Sequence, residues 1–184
     1  MFEKLLKKIG ECLEHHQLPY MIIGGQAVLL YGEPRLTRDI DITLGINVDS
    51  LDCLLDAVQE LSLKPLPEDT PAFVKQTMVL PTLDESTGIR VDFIFSYTPY
   101  ETSAIQRARK ITILNQKVNF AAPEDLIIHK IFAGRPRDLE DVRTVLLKNP
   151  DIDTSYIRKW LKEFDASSHK YEFLQHFEEI VRKI

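Results

Sequence analysis

Apolar residues at Phe2, Leu5, Leu6, Ile9, Cys12 and Leu13 recur every three or four positions, which predicts an amphipathic helix over 2–16. The apolar run YMII (20–23) predicts a short strand. Gly24 and Gly25 break it, and QAVLLYG predicts a helix ending near Gly32. EPRLTR reads as a loop, and then DIDITL (39–44) alternates strictly. Ile40, Ile42 and Leu44 face one way; Asp39, Asp41 and Thr43 face the other. That period of two marks a strand with an apolar core face and an acidic open face. IRVDFIF (89–95) predicts a second strong strand, with Asp92 inside an almost wholly apolar run.

Between these strands, residues 49–61 have helical spacing, with Asp49 or Ser50 as N-cap. KPLPEDTP is a proline-rich connection, and AFVKQTMVL (72–80) is expected to be a strand. Residues 101–108 look helical, and KITILN with KVNFA predicts a hairpin around Asn115-Gln116. From Pro123 onward the period is helical. PEDLIIHKIFAG opens on a first-turn proline and stops at Gly134. PRDLEDVRTVLLKN restarts at Pro136, and TSYIRKWLKEFD and KYEFLQHFEEIVRKI form a helical tail. Trp160 with Phe164, and Phe173 with Phe177, are stripes at helical spacing that suit a core or a dimer face. The chain is therefore expected to be a mixed α/β (α+β) core over 1–121 and a helical region over 122–184. The short connection between them implies that the two pack together.

Charge separates the two halves. Residues 1–100 carry 8 Lys/Arg against 15 Asp/Glu, whereas residues 101–184 carry 15 against 13. The acidic character thus lies with DID. A net charge of −5 argues against a general nucleic-acid coat. The basic group around Arg107–Lys110 and Arg135–Arg143 leaves short RNA open. Two cysteines, Cys12 and Cys53, form no disulfide framework and no metal-ligand spacing, and read as small core residues. His15, His16 and His129 have no ligand spacing either. No apolar run reaches the ~20 residues that span a bilayer, and the charged, amphipathic stretch 1–16 carries no signal-peptide apolar block. A cytoplasmic location, without membrane, is expected.

The acidic face carries the chemistry. Alternate strand residues lie about 6.5–7 Å apart on one face, so Asp39 and Asp41 point into one space. Hard divalent cations take such oxygen ligands. A buried Asp92 needs a partner or a metal; if its strand lies beside DIDITL, three carboxylates converge where Mg²⁺ (or Mn²⁺) would hold phosphate oxygens. Gly24 and Gly25 stand at a strand-to-helix turn, where free N–H groups favour an anion. A tight turn with nothing bound is the other reading of that pair. Neither a Walker loop nor a dinucleotide fingerprint is present.

IIGG, thirteen residues, DIDI and a later VDF resemble the signature of the nucleotidyltransferase superfamily that includes DNA polymerase β. The fuller run GGQAVLLYG…RLTRDIDITL, followed by APEDLIIHKIFAGRPRDLEDV, resembles its AbiEii-like branch. The resemblance covers roughly 18–147. It implies a nucleotidyltransferase-like mixed sheet flanked by helices, and transfer of NMP from an NTP to an acceptor hydroxyl with loss of pyrophosphate. Asp39, Asp41 and Asp92 would be catalytic metal ligands, and Asp92 also a base for the acceptor. Gly24 and Gly25 would cradle phosphate. Many relatives carry Ser where this chain has Gly25, so only backbone contact is left there.

By the same resemblance, Lys130 and Asp138 would assist nucleotide binding, Lys130 as a cation on phosphate. Asp138 equally suits the first turn after Pro136 as helix support. Arg135 and Arg137 either bind phosphate or are solvated. Asp141 is expected to support its helix or pair with Arg137. Arg35, Thr37 and Arg38 precede DID on a loop within reach of a nucleotide. The acceptor would be a protein, a tRNA end or a small molecule. Relatives in toxin–antitoxin-type systems make a protein partner plausible. A different class of function is a non-catalytic interaction module on the same scaffold. Base preference and oligomeric state are unknown.

Overall fold

The computed structural model describes residues 1–168 and 172–184; Lys170 and Tyr171 of the expected tail lie outside the described residues. The chain divides into two compact units. The first comprises Met1–Gln26 and Leu36–Ala121, the second Ala27–Arg35 and Ala122–Ile184. No helix among the described residues is long and apolar enough to cross a membrane.

The first unit is a mixed sheet with helices. Its strands are β1 (Tyr20–Ile23), β2 (Asp39–Leu44), β3 (Lys64–Pro65), β4 (Val79–Asp84), β5 (Ile89–Phe95), β6 (Arg109–Ile113) and β7 (Gln116–Phe120), in spatial order β3-β4-β5-β2-β1-β7-β6. The β2–β5 and β1–β7 pairs are parallel and the rest antiparallel. The two alternating segments are thus central neighbours. Ile40 pairs with Val91, Ile42 with Phe93 and Leu44 with Phe95, all six buried on the core face. Full burial of each such side chain stabilises by about 1.5–3 kcal/mol, so the register of β2 against β5 is fixed by the apolar face.

The helices of this unit follow the pattern with one exception. In α1 (Phe2–His15) the buried residues are Leu5, Leu6, Ile9, Gly10, Cys12 and Leu13. A 3₁₀ turn, Val48–Ser50, is capped by Asn47, whose side chain accepts from Val48 N, and leads into α3 (Leu51–Glu60), where Ser50 takes the N-cap position without a side-chain cap hydrogen bond. Residues 99–106 form α5 (Pro99–Gln106). The exception is AFVKQTMVL, which is not one strand. Thr70–Thr77 is a helix, α4, and the strand begins at Val79. Asp69 accepts a hydrogen bond from Ala72 N at 3.0 Å and Pro71 lies in the first turn, a start signal that outweighs the β-prone residues downstream. Met78, at φ 60°, ends the helix and turns the chain into β4. The proline-rich connection also contributes β3.

The second unit holds α6 (Pro123–Ala133), α7 (Pro136–Lys148), α8 (Thr154–Ser167) and α9 (Phe173–Val181). Gly134, at φ 64°, closes α6, where a left-handed residue is needed. Cross-links explain why residues 27–35 belong here although sequence continuity places them with the core. Asn149 Nδ2 donates to Tyr31 O at 2.8 Å, Lys148 Nζ donates to Gly32 O at 3.1 Å, and Arg35 holds Asp141. These bonds satisfy the open carbonyls at the end of α2 (Gly24–Tyr31), whose first three residues belong to the first unit. Trp160 and Phe177 are buried, and Phe132 stacks on Phe173 at 5.2 Å, so both aromatic stripes are core elements of this unit.

Candidate active site

Strand pairing brings the three aspartates together. Asp41 is the direct partner of Asp92 in the parallel β2–β5 pair, and Asp39 is the partner of Arg90. Direct partners in adjacent strands share a face about 4.8 Å apart. Asp39, Asp41, Arg90 and Asp92 therefore form one patch on the face opposite the Ile/Val/Phe rows. Thr43, next along that face, is buried, so the patch narrows toward the end of β2.

Asp92 is not sealed in the core, contrary to its apolar run. Its side chain retains 16% exposure and accepts a hydrogen bond from Arg90 Nε at 2.7 Å. The alternation of β5 explains it: Val91, Phe93 and Phe95 are buried while Arg90, Asp92 and Ile94 look outward. Arg90 is the positive group among the carboxylates. The hydrogen bond it donates to Asp92, reinforced by the charges of Asp92, Asp39 and Asp41, raises its guanidinium above the ordinary arginine range. Arg-x-Asp on one strand puts both side chains on one face, a signal present in the sequence.

Gly24 has a second reason to be glycine besides the turn. It sits at φ 62°, and a Cβ there would come 1.9 Å from Asp41 Oδ2. The first glycine of the pair thus makes room for the aspartate as well as for the backbone turn. Gly25 is buried at the start of α2. Gln26, which no motif of the sequence singles out, is buried and donates to Thr37 Oγ1 at 2.7 Å and Asp39 O at 3.4 Å. It ties the loop before DID to the glycine turn. Thr37 is thereby occupied structurally, while Arg38 is exposed.

The remaining candidates fall in the second unit and form a network of their own. Lys130 is 6% exposed, with Nζ 2.7 Å from Asp138 Oδ1 and 2.9 Å from Asp141 Oδ2. Arg135 Nε reaches Asp138 Oδ2 at 2.5 Å. Arg35 clasps Asp141 with both forks, at 3.1 and 3.0 Å. Asp141 thus pairs with Arg35 and Lys130, not with Arg137. Burial raises the Asp138 carboxyl, but the hydrogen bonds from Arg135 and Lys130 outweigh it and hold the group below the ordinary carboxylate range. Lys130 is matched by two carboxylates, so its charge is engaged within its own unit.

By donor type the aspartate patch suits a hard divalent cation, with three partly exposed carboxylates on one face; with Arg90 holding Asp92, the three do not lie within 4.8 Å of one another. The model of the nucleotidyltransferases of unknown function (DUF6036) matches residues 1–184. The chain belongs to this family. No curated protein matches this nucleotidyltransferase in sequence. Among solved structures, the antibiotic-resistance factor ANT(2'')-Ia is 18% identical with a TM-score of 0.61, covering 96% of both chains. It has also been solved with adenylyl-2''-tobramycin. The lincosamide adenylyltransferase LnuA, lincomycin-bound, is 16% identical with a TM-score of 0.54, over 77% of this chain and 94% of that one. A nucleotidyltransferase structure from Thermotoga maritima is 16% identical with a TM-score of 0.52, over 88% and 93%. At these identities the likeness establishes the fold: a nucleotidyltransferase-like mixed sheet flanked by helices.

Proposed function

We propose that the chain transfers NMP from an NTP to an acceptor hydroxyl, with Asp39, Asp41 and Asp92 holding Mg²⁺ or Mn²⁺. The observation that carries this is the register Asp41–Asp92 on the outward face of β2 and β5, next to the glycine turn. When bound, the divalent ion supplies charge neutralisation for the triphosphate and positions its α-phosphorus. Asp39 and Asp41, on one strand, fix two ligand oxygens. Gly24 and Gly25 leave backbone N–H groups at the start of α2 for phosphate oxygens. Asp92 takes the proton of the acceptor hydroxyl; the hydroxyl oxygen bonds to the α-phosphorus as the bond to pyrophosphate breaks. Arg38, exposed just before the strand, suits contact with the nucleotide. The AbiEii-like resemblance motivates nucleotide-binding roles for Lys130, Arg135 and Asp138, of which Arg135, with a 74% exposed side chain, is the accessible one.

The acceptor we favour over a protein or a tRNA end is a small-molecule hydroxyl, because solved relatives of the fold carry adenylyl-2''-tobramycin or lincomycin. The same resemblance motivates a toxin–antitoxin-type setting with a protein partner, and the family assignment motivates a cytoplasmic location. One observation favours a second reading, a non-catalytic interaction module. Arg90 already satisfies Asp92, so the carboxylates are tolerable without an ion. Pyrophosphate release from each NTP, measured with and without Mg²⁺ across a panel of hydroxyl acceptors, separates the two. Release that requires Mg²⁺ and falls by at least ~100-fold in Asp41→Asn supports the transferase; equal activity in that variant sinks it.

A further inference from the structure

A second cluster of donor groups lies away from the aspartate patch, within the first unit. Cys12 and His16 are one turn apart at the end of α1, so they share a helix face. Glu60, the last residue of α3, closes the group. One donor atom from each of Cys12, His16 and Glu60 lies within 4.8 Å of the others, the one such threesome of Cys, His, Asp or Glu among the described residues. His16 Nε2 is 2.9 Å from Glu60 Oε2, and His15 Nδ1 is 3.5 Å from the same oxygen. A further donor, His15, thus stands beside Glu60. Sequence spacing hides the group because 44 residues separate His16 from Glu60.

The surroundings favour a cation. Cys12 and Glu60 line a surface cavity of 340 Å³ whose wall also carries Glu11, Asp84, Glu85 and Lys8, with Glu11 paired to Lys7 at 3.4 Å and Glu85 to Lys64 at 2.7 Å. The thiol itself is buried, while the imidazoles and carboxylate are reachable from solvent. A hydrogen-bonded His–Glu pair explains two of the four groups. It does not explain a thiol and a second imidazole converging on the same carboxylate under an acidic opening.

We propose that Cys12, His16 and Glu60, with His15 as fourth donor, bind a thiolate-preferring divalent transition ion of the Zn²⁺ class. Sulfur, imidazole and carboxylate together suit Zn²⁺ and disfavour Mg²⁺, which requires an all-oxygen octahedron. The site would clamp the C-terminal end of α1 to that of α3. The Cys12 S–H donates to Ala57 O at 3.5 Å. Loading therefore exchanges the thiol proton, released to solvent, for the metal–sulfur bond.

Titration of the full chain with Co²⁺, reduced by a phosphine, tests this. A thiolate-to-cobalt charge-transfer band is expected, abolished in Cys12→Ser, weakened in His16→Ala, retained in Asp41→Asn, displaced by Zn²⁺ and untouched by Mg²⁺. Zn²⁺ at ~100 times its Kd should also raise the unfolding temperature by roughly 5–10 °C, and this rise should vanish in Glu60→Gln and His16→Ala, whose partly exposed positions tolerate change. Absence of the band, its persistence in Cys12→Ser, or a Zn²⁺ stabilisation unchanged in both other variants would overturn the site.

Discussion

Two groups of carboxylates in this protein look alike in the sequence and differ in the fold. On the sheet, Asp39, Asp41 and Asp92 share an outward face with the half-exposed Arg90. In the helical unit, Asp138 and Asp141 are buried and met by three cations, Lys130, Arg135 and Arg35. The first patch keeps negative charge in contact with solvent, which a binding site for cations requires. The second has its charges matched internally, which a structural joint requires. A charge pattern alone does not separate these cases; the compensation around it does.

The largest expected effect is on the joint. Lys130→Ala leaves two buried carboxylates without their shared cation. It should cost about 3–5 kcal/mol, lowering the unfolding temperature by roughly 6–20 °C. Asp41→Asn, by contrast, removes one of three like charges and should leave thermal stability unchanged or slightly higher while turnover fails. Comparable stability losses in both variants would break the contrast.

Gly24→Ala comes next. It forces a side chain into a left-handed turn and onto Asp41, and should cost about 1–3 kcal/mol together with Mg²⁺-dependent nucleotide binding, read by calorimetric titration. Acid titration then distinguishes the units. The depressed carboxyl of Asp138 contributes stability that is fully present above the unfolded value of about 3.9. That stability is lost as pH falls through the lower folded value. The acid limb of a denaturation–pH profile should be shallower in Asp138→Asn. The smallest effect belongs to Arg90→Gln. As a pair exposed on the arginine side, Arg90–Asp92 should contribute within about 1 kcal/mol to stability, and its loss should tighten Mg²⁺ binding to the patch.

Much of this arrangement was legible in the chain. YMII, DIDITL and IRVDFIF are strands over the residues that alternation or apolar runs indicate, and because β2 and β5 are adjacent Asp41 comes into register with Asp92, with Asp39 on the same face. What was not legible depends on distant partners. Helix α4 buries only Val74 fully, so its apolar period is faint and its start signal lies in Asp69 and Pro71. Residues 27–35 join the helical unit through Asn149, Lys148 and Asp141, over a hundred residues away. Lys130 reads as a free cation until the turn at Gly134 folds α7 back and supplies Asp138 and Asp141. The two-residue spacing of Arg90 from Asp92 puts both on one face of β5.

Thermal unfolding with each of the four NTPs, with and without Mg²⁺, on wild type and Asp41→Asn, tests the aspartate patch most directly, since no acceptor need be known. A nucleotide at ~100 times its Kd should add about 2.7 kcal/mol, roughly 5–10 °C for a chain of this size, only with Mg²⁺ and only in the wild type. An identical shift in Asp41→Asn, or no shift with any NTP, would contradict a metal–nucleotide site on β2 and β5.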